Sequence, residues 1–419
     1  MAFDAPADAP AAEEHTQCCI AGGGPAGLML GYLLARAGVR VTVLEKHTDF
    51  LRDFRGDTIH PSTLTVLDDL GLLEDFLELP HDEVQELVAD VFGRLVTLAD
   101  FRHLAAPRPF MVLVPQWDFL DFIADRARAL PGFTLLLGAK AQSVIEEGGD
   151  VVGVQVQGAD RRWRVRADLV VAADGRDSTL RRSAGLRTRD VGAPIDVLWF
   201  RLARDAQRHP ARSGGIMRPG AMLVMINRGS YWQCAYVIPK GSLASLQAQG
   251  IAPFRERVAA VAPFFAQEVQ ALAGWDDVKL LNVQITDLPT WHRKGLLCIG
   301  DAAHAMSPVG GVGINLAIQD AVAAANLLAV PLREGRLREA DLAAVQKRRH
   351  WPARVTQRAQ VAVQDELLTP LLARRDAPSR PPLAVTLLDR LPMLRRLPAR
   401  LVGIGVRPER VRAGLFQGA

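Results

Sequence analysis

The sequence predicts an α/β protein. A doubly wound parallel sheet carries an antiparallel excursion, a second β-rich unit is inserted into it, and helices follow at the C-terminal end. Three observations predict this. Residues 17–44 spell strand, glycine turn, helix and strand; residues 168–175 spell a buried strand ending in Asp174-Gly175; residues 296–301 spell another ending in Gly300-Asp301, ahead of a long Ala-rich helical pattern. Strands that deliver glycine and acid at their carboxyl ends, alternating with helical periodicity, belong to Rossmann-like parallel sheets.

Taken in order, residues 1–16 are rich in Ala, Pro, Asp and Glu without periodicity and read as a loose tail. An apolar strand ends at Ala21; Leu28, Leu30, Leu33 and Leu34 then recur at helical spacing, Gly38 stops the helix, and Val39 to Leu44 form the second strand. Helices are expected after Pro61 (Leu64, Val66, Leu67, Leu70) and after Gln116 (Phe119, Phe122, Ile123, Ala127). Short β-rich runs between 133 and 173, punctuated by Gly148-Gly149, give the antiparallel excursion. Residues 82–114 and 190–285 read as strands between Pro and Gly turns. A helix is expected from about 313 to 329, and beyond about 340 mainly helix, interrupted by Pro370, Pro378, Pro381 and Pro382. The expected division is a Rossmann-like unit of residues 17–81, 115–189 and 286–350, an inserted unit of residues 82–114 and 190–285, and a helical segment of residues 351–419.

Composition narrows the class. At 419 residues the chain exceeds the roughly 250–300 that one core holds. Its 49% apolar and 23% charged residues exclude disordered and collagenous chains. Fifty basic residues nearly cancel 46 acidic ones, so a net charge of +4 offers no field for nucleic acid. Cys18, Cys19, Cys234 and Cys298 are too few and too scattered for a disulfide framework or a metal quartet; no metal is expected, and a reducing, cytoplasmic compartment fits. The uncharged run 18–35 has the length of a membrane span, but Gly22, Gly23, Gly24, Pro25 and Gly27 fill its first half and Glu13 and Glu14 precede it where a signal peptide is basic. It reads as a buried strand, turn and helix, so no transmembrane segment is expected.

The glycines carry the chemistry. Gly22-Gly23-Gly24-Pro25-Ala26-Gly27 is a G-x-G-x-x-G between strand and helix, and Glu45 closes the next strand 21 residues after Gly24. Such a turn brings a pyrophosphate to a helix N-terminus, whose dipole and free N–H groups favour an anion, while the acid accepts from ribose hydroxyls. Alone it does not separate NAD from FAD.

Together with Asp174-Gly175 and with Gly300-Asp301-Ala302-Ala303-His304, Pro308 and the run from Gly310 to Asn315, the turn resembles the fingerprints of the FAD-dependent aromatic hydroxylases, the single-component flavoprotein monooxygenases similar to 4-hydroxybenzoate hydroxylase. The resemblance covers residues 17–350 and is weak in the inserted unit. It implies FAD held by Gly22, Gly24, Pro25, Ala26 and Gly27 at the pyrophosphate, by Glu45 with Lys46 at the adenosine ribose, and by Gly300 and Asp301 at the ribityl chain. Arg55, Gly56 and Gln116 match positions near the isoalloxazine and riboflavin, and Asp174 and Gly175 lie near both flavin and transient nicotinamide. Val312, Gly313, Ile314 and Asn315 would open a helix toward the flavin pyrimidine, where reduction places negative charge. Pro308 and Gly311 occupy the position beside the C4a face, the catalytic surface. NADPH or NADH would reduce FAD, O2 would add at C4a, and the resulting hydroperoxide would transfer one oxygen atom to an aromatic ring. Flavin-dependent reductase, halogenase and non-enzymatic Rossmann scaffold are the alternatives of the same fold.

The strands of the inserted unit offer Trp199, Met217, Met222, Met225, Asn227 and Tyr236 as a pocket for an apolar or polycyclic aromatic substrate, with the methionines equally readable as core. Several bland roles stand beside the functional ones. Arg55 suits a loop salt bridge, His304 a structural hydrogen bond rather than a base, Asp177 and Arg181 a helical pair, and Asn315 an ordinary helix start; His60 either caps a helix or lines the flavin pocket. A Ser307-His304-Asp301 triad lacks the G-x-S-x-G elbow. Residues 383–412 interleave leucines with seven arginines: a basic amphipathic helix for weak peripheral membrane or partner contact, or one packed on the catalytic unit with solvated arginines. Oligomeric state is not encoded in any of these patterns.

Overall fold

The computed structural model describes residues 13–51, 58–210, 212–373 and 382–416. Five parallel strands form its centre in the order Leu296–Cys298, Arg162–Ala172, Glu13–Ala21, Val41–Glu45, Phe133–Leu137, with His292–Arg293 antiparallel on the edge. Burial on both faces explains why these strands read as unbroken apolar runs: Cys18, Cys19, Ile20, Leu169, Val170 and Val171 are fully buried. The helix Pro25–Arg36 packs on both Gln116–Arg128 and Gly313–Arg333.

The first strand starts at Glu13, ahead of the expected boundary, so residues 13–16 are not tail. Its neighbour reaches equally far: Glu13 pairs with Arg164, and its carboxylate accepts Arg166 Nε at 2.6 Å. The hairpin Lys140–Glu147 and Asp150–Gln157 pairs antiparallel with the first half of Arg162–Ala172, leaving the second half to Leu296–Cys298. Where the two partners meet, a Cβ on Gly295 would lie 1.9 Å from the Val151 carbonyl oxygen. Only glycine fits there.

A seven-stranded sheet runs Lys279–Leu281, Ile195–Ala203, Tyr231–Pro239, Ala221–Asn227, Gly214–Arg218, Glu86–Val91, Arg94–Asp100, antiparallel except where Gly214–Arg218 meets Glu86–Val91. Of residues 82–114, Asp82–Val84 and Met111–Leu113 instead join Thr58–Ile59 in a small three-stranded sheet. Period-two alternation gives the seven-stranded sheet two apolar faces. Leu198, Phe200, Leu223, Met225 and Tyr236 pack against Phe254 and Val258 of helix Ile251–Val261. Val197, Trp199, Met222, Val224 and Val237 face the other way: Met222 and Val237 meet Val309, Leu367 and Leu368, while Val197, Trp199 and Val224 pack with Val283 and Leu281.

The C-terminal segment begins with Glu339–Val363, passes through a π-helical turn at Gln364–Leu368, and continues as Thr369–Ala373. Residues 383–412 do not form one helix. Pro392 lacks the N–H a helix interior needs, and the run breaks into Leu383–Arg390, Pro392–Arg395 and Arg396–Gly403. Residues 404–416 then fold back on the parallel-sheet unit, where Arg410 Nε meets Asp69 Oδ2 at 2.8 Å and Leu415 enters the core. Among the described residues one stretch, Val309–Arg333, has the length and apolarity of a membrane span, but 83% of its apolar window is buried inside the protein, as a core helix would be.

Candidate active site

The strand Glu13–Ala21 ends in a turn that tolerates no side chain at two points. Gly22 has φ +107°, and a Cβ there would lie 2.3 Å from the Ala173 carbonyl oxygen; one on Gly27 would lie 2.0 Å from the Gly22 carbonyl oxygen. Gly24, between them, has open space, and Pro25 starts the helix with no acid in its first turn. The result is a positive helix end under a side-chain-free cradle, which suits a pyrophosphate. Ala26 is buried, and Lys46, just past Glu45, is exposed.

Glu45 is built into this turn. Its Oε2 accepts the Gly23 N–H at 2.9 Å, and Oε1 accepts His47 N–H at 3.1 Å and meets His47 Nδ1 at 2.5 Å. Burial pushes its carboxyl pKa up, but the Gly23 and His47 hydrogen bonds outweigh it and hold the pKa below the ordinary value. His47 is a partner that the motif does not contain; its place two residues beyond the acid was the available signal.

Asp174 turns inward. It accepts the Ser178 hydroxyl, the Thr179 N–H at 2.6 Å and the Leu180 N–H at 3.2 Å, so its carboxylate caps the helix Thr179–Ser183. Gly175, at φ +86°, has open space around it. Arg181 does not pair with Asp177 by hydrogen bond; its guanidinium donates to the carbonyls of Ala302 and Arg176 at 2.8 and 2.9 Å, which ties this motif to the Gly300-Asp301 turn.

Gly300 sits where a Cβ would touch Ala26 Cβ at 3.2 Å and Ala317 Cβ at 3.4 Å, so the two long helices converge on it. Its N–H donates to Asp320 Oδ2 at 3.1 Å, the same oxygen that meets His304 Nε2 at 2.5 Å, while Asp320 Oδ1 accepts Arg349 Nε at 2.9 Å. Arg349 also donates to the Arg407 carbonyl at 3.0 Å and stands 3.4 Å from Glu409. Burial lowers the His304 pKa, but the adjoining Asp320 carboxylate prevails and the net shift is upward. His304 is thus a buried structural pair. Ser307 Oγ accepts the Val309 N–H at 3.2 Å and makes no hydrogen bond to His304, whose Nε2 is held by Asp320 and not by Asp301. The triad reading fails. Sequence reasoning missed Asp320, a lone acid inside an Ala-rich apolar helix; that anomaly was its signal.

The Pro308 turn is clamped by residues 58–63. Gly310 and Gly311 have φ of +77° and +63°, and a Cβ on Gly311 would lie 2.4 Å from Thr58 Oγ1, which donates to the Gly311 carbonyl at 2.8 Å. The side chain of Asn315, expected at the flavin or at an ordinary helix start, serves as a pin. Its Oδ1 accepts His60 N–H at 2.8 Å and Thr63 Oγ1–H at 2.7 Å, and its Nδ2 donates to the Thr58 carbonyl at 3.1 Å, because helix Gly313–Arg333 points this side chain at the Pro61 helix start. Around Gly313 the space is open, and the first turn of its 21-residue helix holds no acid. Val312 and Ile314 are buried on either side. His60 is fully buried; burial pushes its pKa down to about 4, so the neutral ring donates Nδ1–H to the Val402 carbonyl at 2.7 Å. Gln116 opens its helix half buried, Asp301 stands half buried on the first turn after Gly300, and Arg55 and Gly56 lie outside the described residues.

Of the six expected pocket residues, Trp199, Met217 and Met222 share one sheet face by register, where Met222 meets Val309 and Leu367, Met217 is buried with Leu371 and Val385, and Trp199 packs with Val197 and Val283. Met225 and Tyr236 do not; strand parity puts them in the opposite core, Tyr236 edge-on to Phe254 at 5.6 Å. Asn227 ends its strand in a turn, its Oδ1 accepting the Gly229 N–H at 2.9 Å.

A family model described as FAD binding domain matches residues 15–359. The chain is 38% identical over 412 residues to the 6-methylpretetramide 4-monooxygenase of Streptomyces rimosus, covering 97% of both chains. It is 32% identical over 319 residues to the 12-dehydrotetracycline 5-monooxygenase/anhydrotetracycline 6-monooxygenase of the same species, covering 72% of this chain and 60% of that one. The crystal structure of PqsL, described as a probable FAD-dependent monooxygenase from Pseudomonas aeruginosa, has the same fold at a TM-score of 0.72 and 24% identity, covering 86% of this chain and 98% of PqsL. A side-chain-free cradle against a positive helix end, an acid at the end of the second strand, and a match running through all three glycine motifs lead to one assignment: the chain belongs to the FAD-dependent aromatic hydroxylase family and is an FAD-dependent monooxygenase.

Proposed function

We propose that this monooxygenase places one oxygen atom from O2 on a fused polycyclic aromatic substrate, at the expense of NADPH or NADH. The observation that carries the substrate class is the apolar sheet face shared by Trp199 and Met222, where Met222 meets Val309 beside the Pro308 turn. A relative 38% identical along nearly its whole length is named for a pretetramide, which supports the same reading.

The residues present fit FAD, since a Cβ would fill the cradle at Gly22 or Gly27 while the space at Gly24 stays open. In this reading Gly22, Gly24, Pro25, Ala26 and Gly27 would hold the pyrophosphate, Glu45 the adenosine ribose, and Gly300 with Asp301 the ribityl chain. When bound, the flavin supplies hydride acceptance and oxygen activation. The helix start at Val312, Gly313 and Ile314 would stabilise negative charge on the neighbouring ring. Pro308 and Gly311 would leave a small, donor-poor surface, and the leucines of residues 367–372 would keep water from it. Asp174 and Gly175 would serve as a wall, since the Asp174 carboxylate is spent on its own helix. Four free, buried cysteines suit a reducing cytoplasm as the place of action.

The test is NAD(P)H oxidation by the FAD-loaded enzyme under 18O2, with 1,8-dihydroxyanthrone set against 4-hydroxybenzoate and 4-nitrophenol and peroxide followed in parallel. The expected result is one labelled oxygen in the fused-ring product. Turnover confined to the single-ring phenols, or peroxide as the sole product, would refute the substrate class.

A further inference from the structure

Helix Glu339–Val363 lays a row of glutamines against the segment that leads into the Pro308 turn. Gln357 Nε2 donates to the carbonyls of Thr286 and Ala305 at 2.9 and 3.0 Å. Three residues on, Gln360 Nε2 donates to the carbonyls of Ser307 and Val309 at 2.9 and 2.7 Å. Gln364 is the next residue on that face, and it breaks the pattern. It is fully buried, yet neither its amide oxygen nor its amide nitrogen has a hydrogen-bond partner among the described residues. The free Oε1 of Gln360 is in the same state one turn earlier.

Position makes this informative. On one side of Gln364 along its helix, Gln360 is bonded to Val309; on the other, Leu368 packs with Ile195 and Val237, with Met222 and Val309 against them. The amide is therefore bracketed by the Val309 turn and the sheet face that carries Met222. The backbone widens there into the π-helical turn Gln364–Leu368, a distortion that recurs at functional sites. Buried polar side chains are nearly always satisfied, so an amide with every donor and acceptor idle calls for a partner that the described residues do not supply. A carboxamide offers both donors and acceptors, which matches a ring edge that presents hydroxyl beside carbonyl.

Building on the fused-ring reading above, we propose that Gln364 is a specificity-determining residue that hydrogen-bonds the hydroxyl–carbonyl edge of the aromatic substrate, its approach fixed by the Gln357 and Gln360 clamps.

The test uses the FAD-loaded enzyme, oxidised, titrated with 1,8-dihydroxyanthrone and with anthrone while the flavin absorbance is followed. Wild type is expected to prefer the dihydroxy compound by about tenfold, the worth of one or two hydrogen bonds. Gln364→Met, which keeps an unbranched chain of similar length, should erase that preference, leave anthrone affinity within about twofold, and hold or raise Tm because an idle buried amide is gone. A Gln364→Met enzyme that keeps the tenfold preference overturns the proposal, as does one whose Tm falls while both affinities stay unchanged. Should that variant not fold, Gln364→Asn, which withdraws the amide by one methylene, must lose the preference; retention overturns the proposal equally. If wild type binds neither anthrone, the fused-ring reading itself fails, whereas discrimination that survives substitution sinks only the assignment of Gln364.

Discussion

Replacing Asp320 by Asn tests whether the Gly300-Asp301 turn is held from behind by a buried charge. The carboxylate is fully buried and receives three donors: Gly300 N–H at 3.1 Å, His304 Nε2 at 2.5 Å and Arg349 Nε at 2.9 Å. Asparagine keeps one acceptor, enough for Arg349, but turns an NH2 toward Gly300 N–H, which then loses its partner. An orphaned buried donor costs about 1–3 kcal/mol, and removing the charge opposite buried His304 and Arg349 brings the total to about 3–5 kcal/mol. At about 2 °C per kcal/mol for a large chain, Tm should fall by roughly 6–10 °C. FAD affinity, read by flavin fluorescence on equilibrium dilution, should drop with it, because Gly300 shifts against Ala26 and Ala317. The pH dependence has a fixed sign. Burial raises the Asp320 pKa, but His304 and Arg349 lower it further, so its stabilisation is present above the ordinary carboxylate pKa and lost as pH falls through the depressed folded value. His304 runs oppositely: its pKa is raised, so its contribution is complete below the ordinary imidazole value and lost as pH rises through the folded one. An Asp320→Asn enzyme within 1 °C of wild type, with unchanged flavin retention, would refute the reasoning.

Four further outcomes follow from the contacts, packing and electrostatics described above. Gly311→Ala puts a methyl 2.4 Å from Thr58 Oγ1 at φ +63°, so stability should fall by about 2–3 kcal/mol, and Thr58→Ala on the same chain should recover part of it by denaturant titration. Glu45→Gln turns a donor toward the His47 N–H or the Gly23 N–H, and flavin affinity should weaken about tenfold in a dilution assay. Trp199→Ala should raise KM for the fused-ring substrate about tenfold while Tyr236→Phe leaves it unchanged, since Trp199 shares the sheet face of Met222 and Tyr236 lies in the opposite core. Wild type should lose thermal stability as pH rises above the ordinary imidazole range, and His304→Gln should remove that loss, measured as Tm against pH.

The flavin half of the fold was legible because its signals are local: glycines whose Cβ would strike a backbone carbonyl, a proline at a helix start, acids at strand ends. The sheet order around Arg162–Ala172 follows from the same strands, although their length does not, since Glu13 is recruited by a partner more than a hundred residues away. The misplacements share one cause. Tyr236 and Met222 both sit in apolar strands, and composition alone does not say which face of a two-sided sheet each takes. Asp174 and Asn315 match fingerprint positions, but whether their side chains reach outward or cap a neighbour depends on Ser178 and Thr63, which no fingerprint records. Asp320, Arg349 and Glu409 form one network from three remote stretches, so no window of sequence contains it.

That network also has a temporal side. Residues 407 and 409 grip Arg349, which grips the acid beneath Gly300. During synthesis the glycine turns and the central strands leave the ribosome early, whereas the residues that brace them emerge late. A nascent chain would therefore display its nucleotide cradle before it could lock it, and capture of the coenzyme should follow release of residue 409 rather than completion of the parallel sheet.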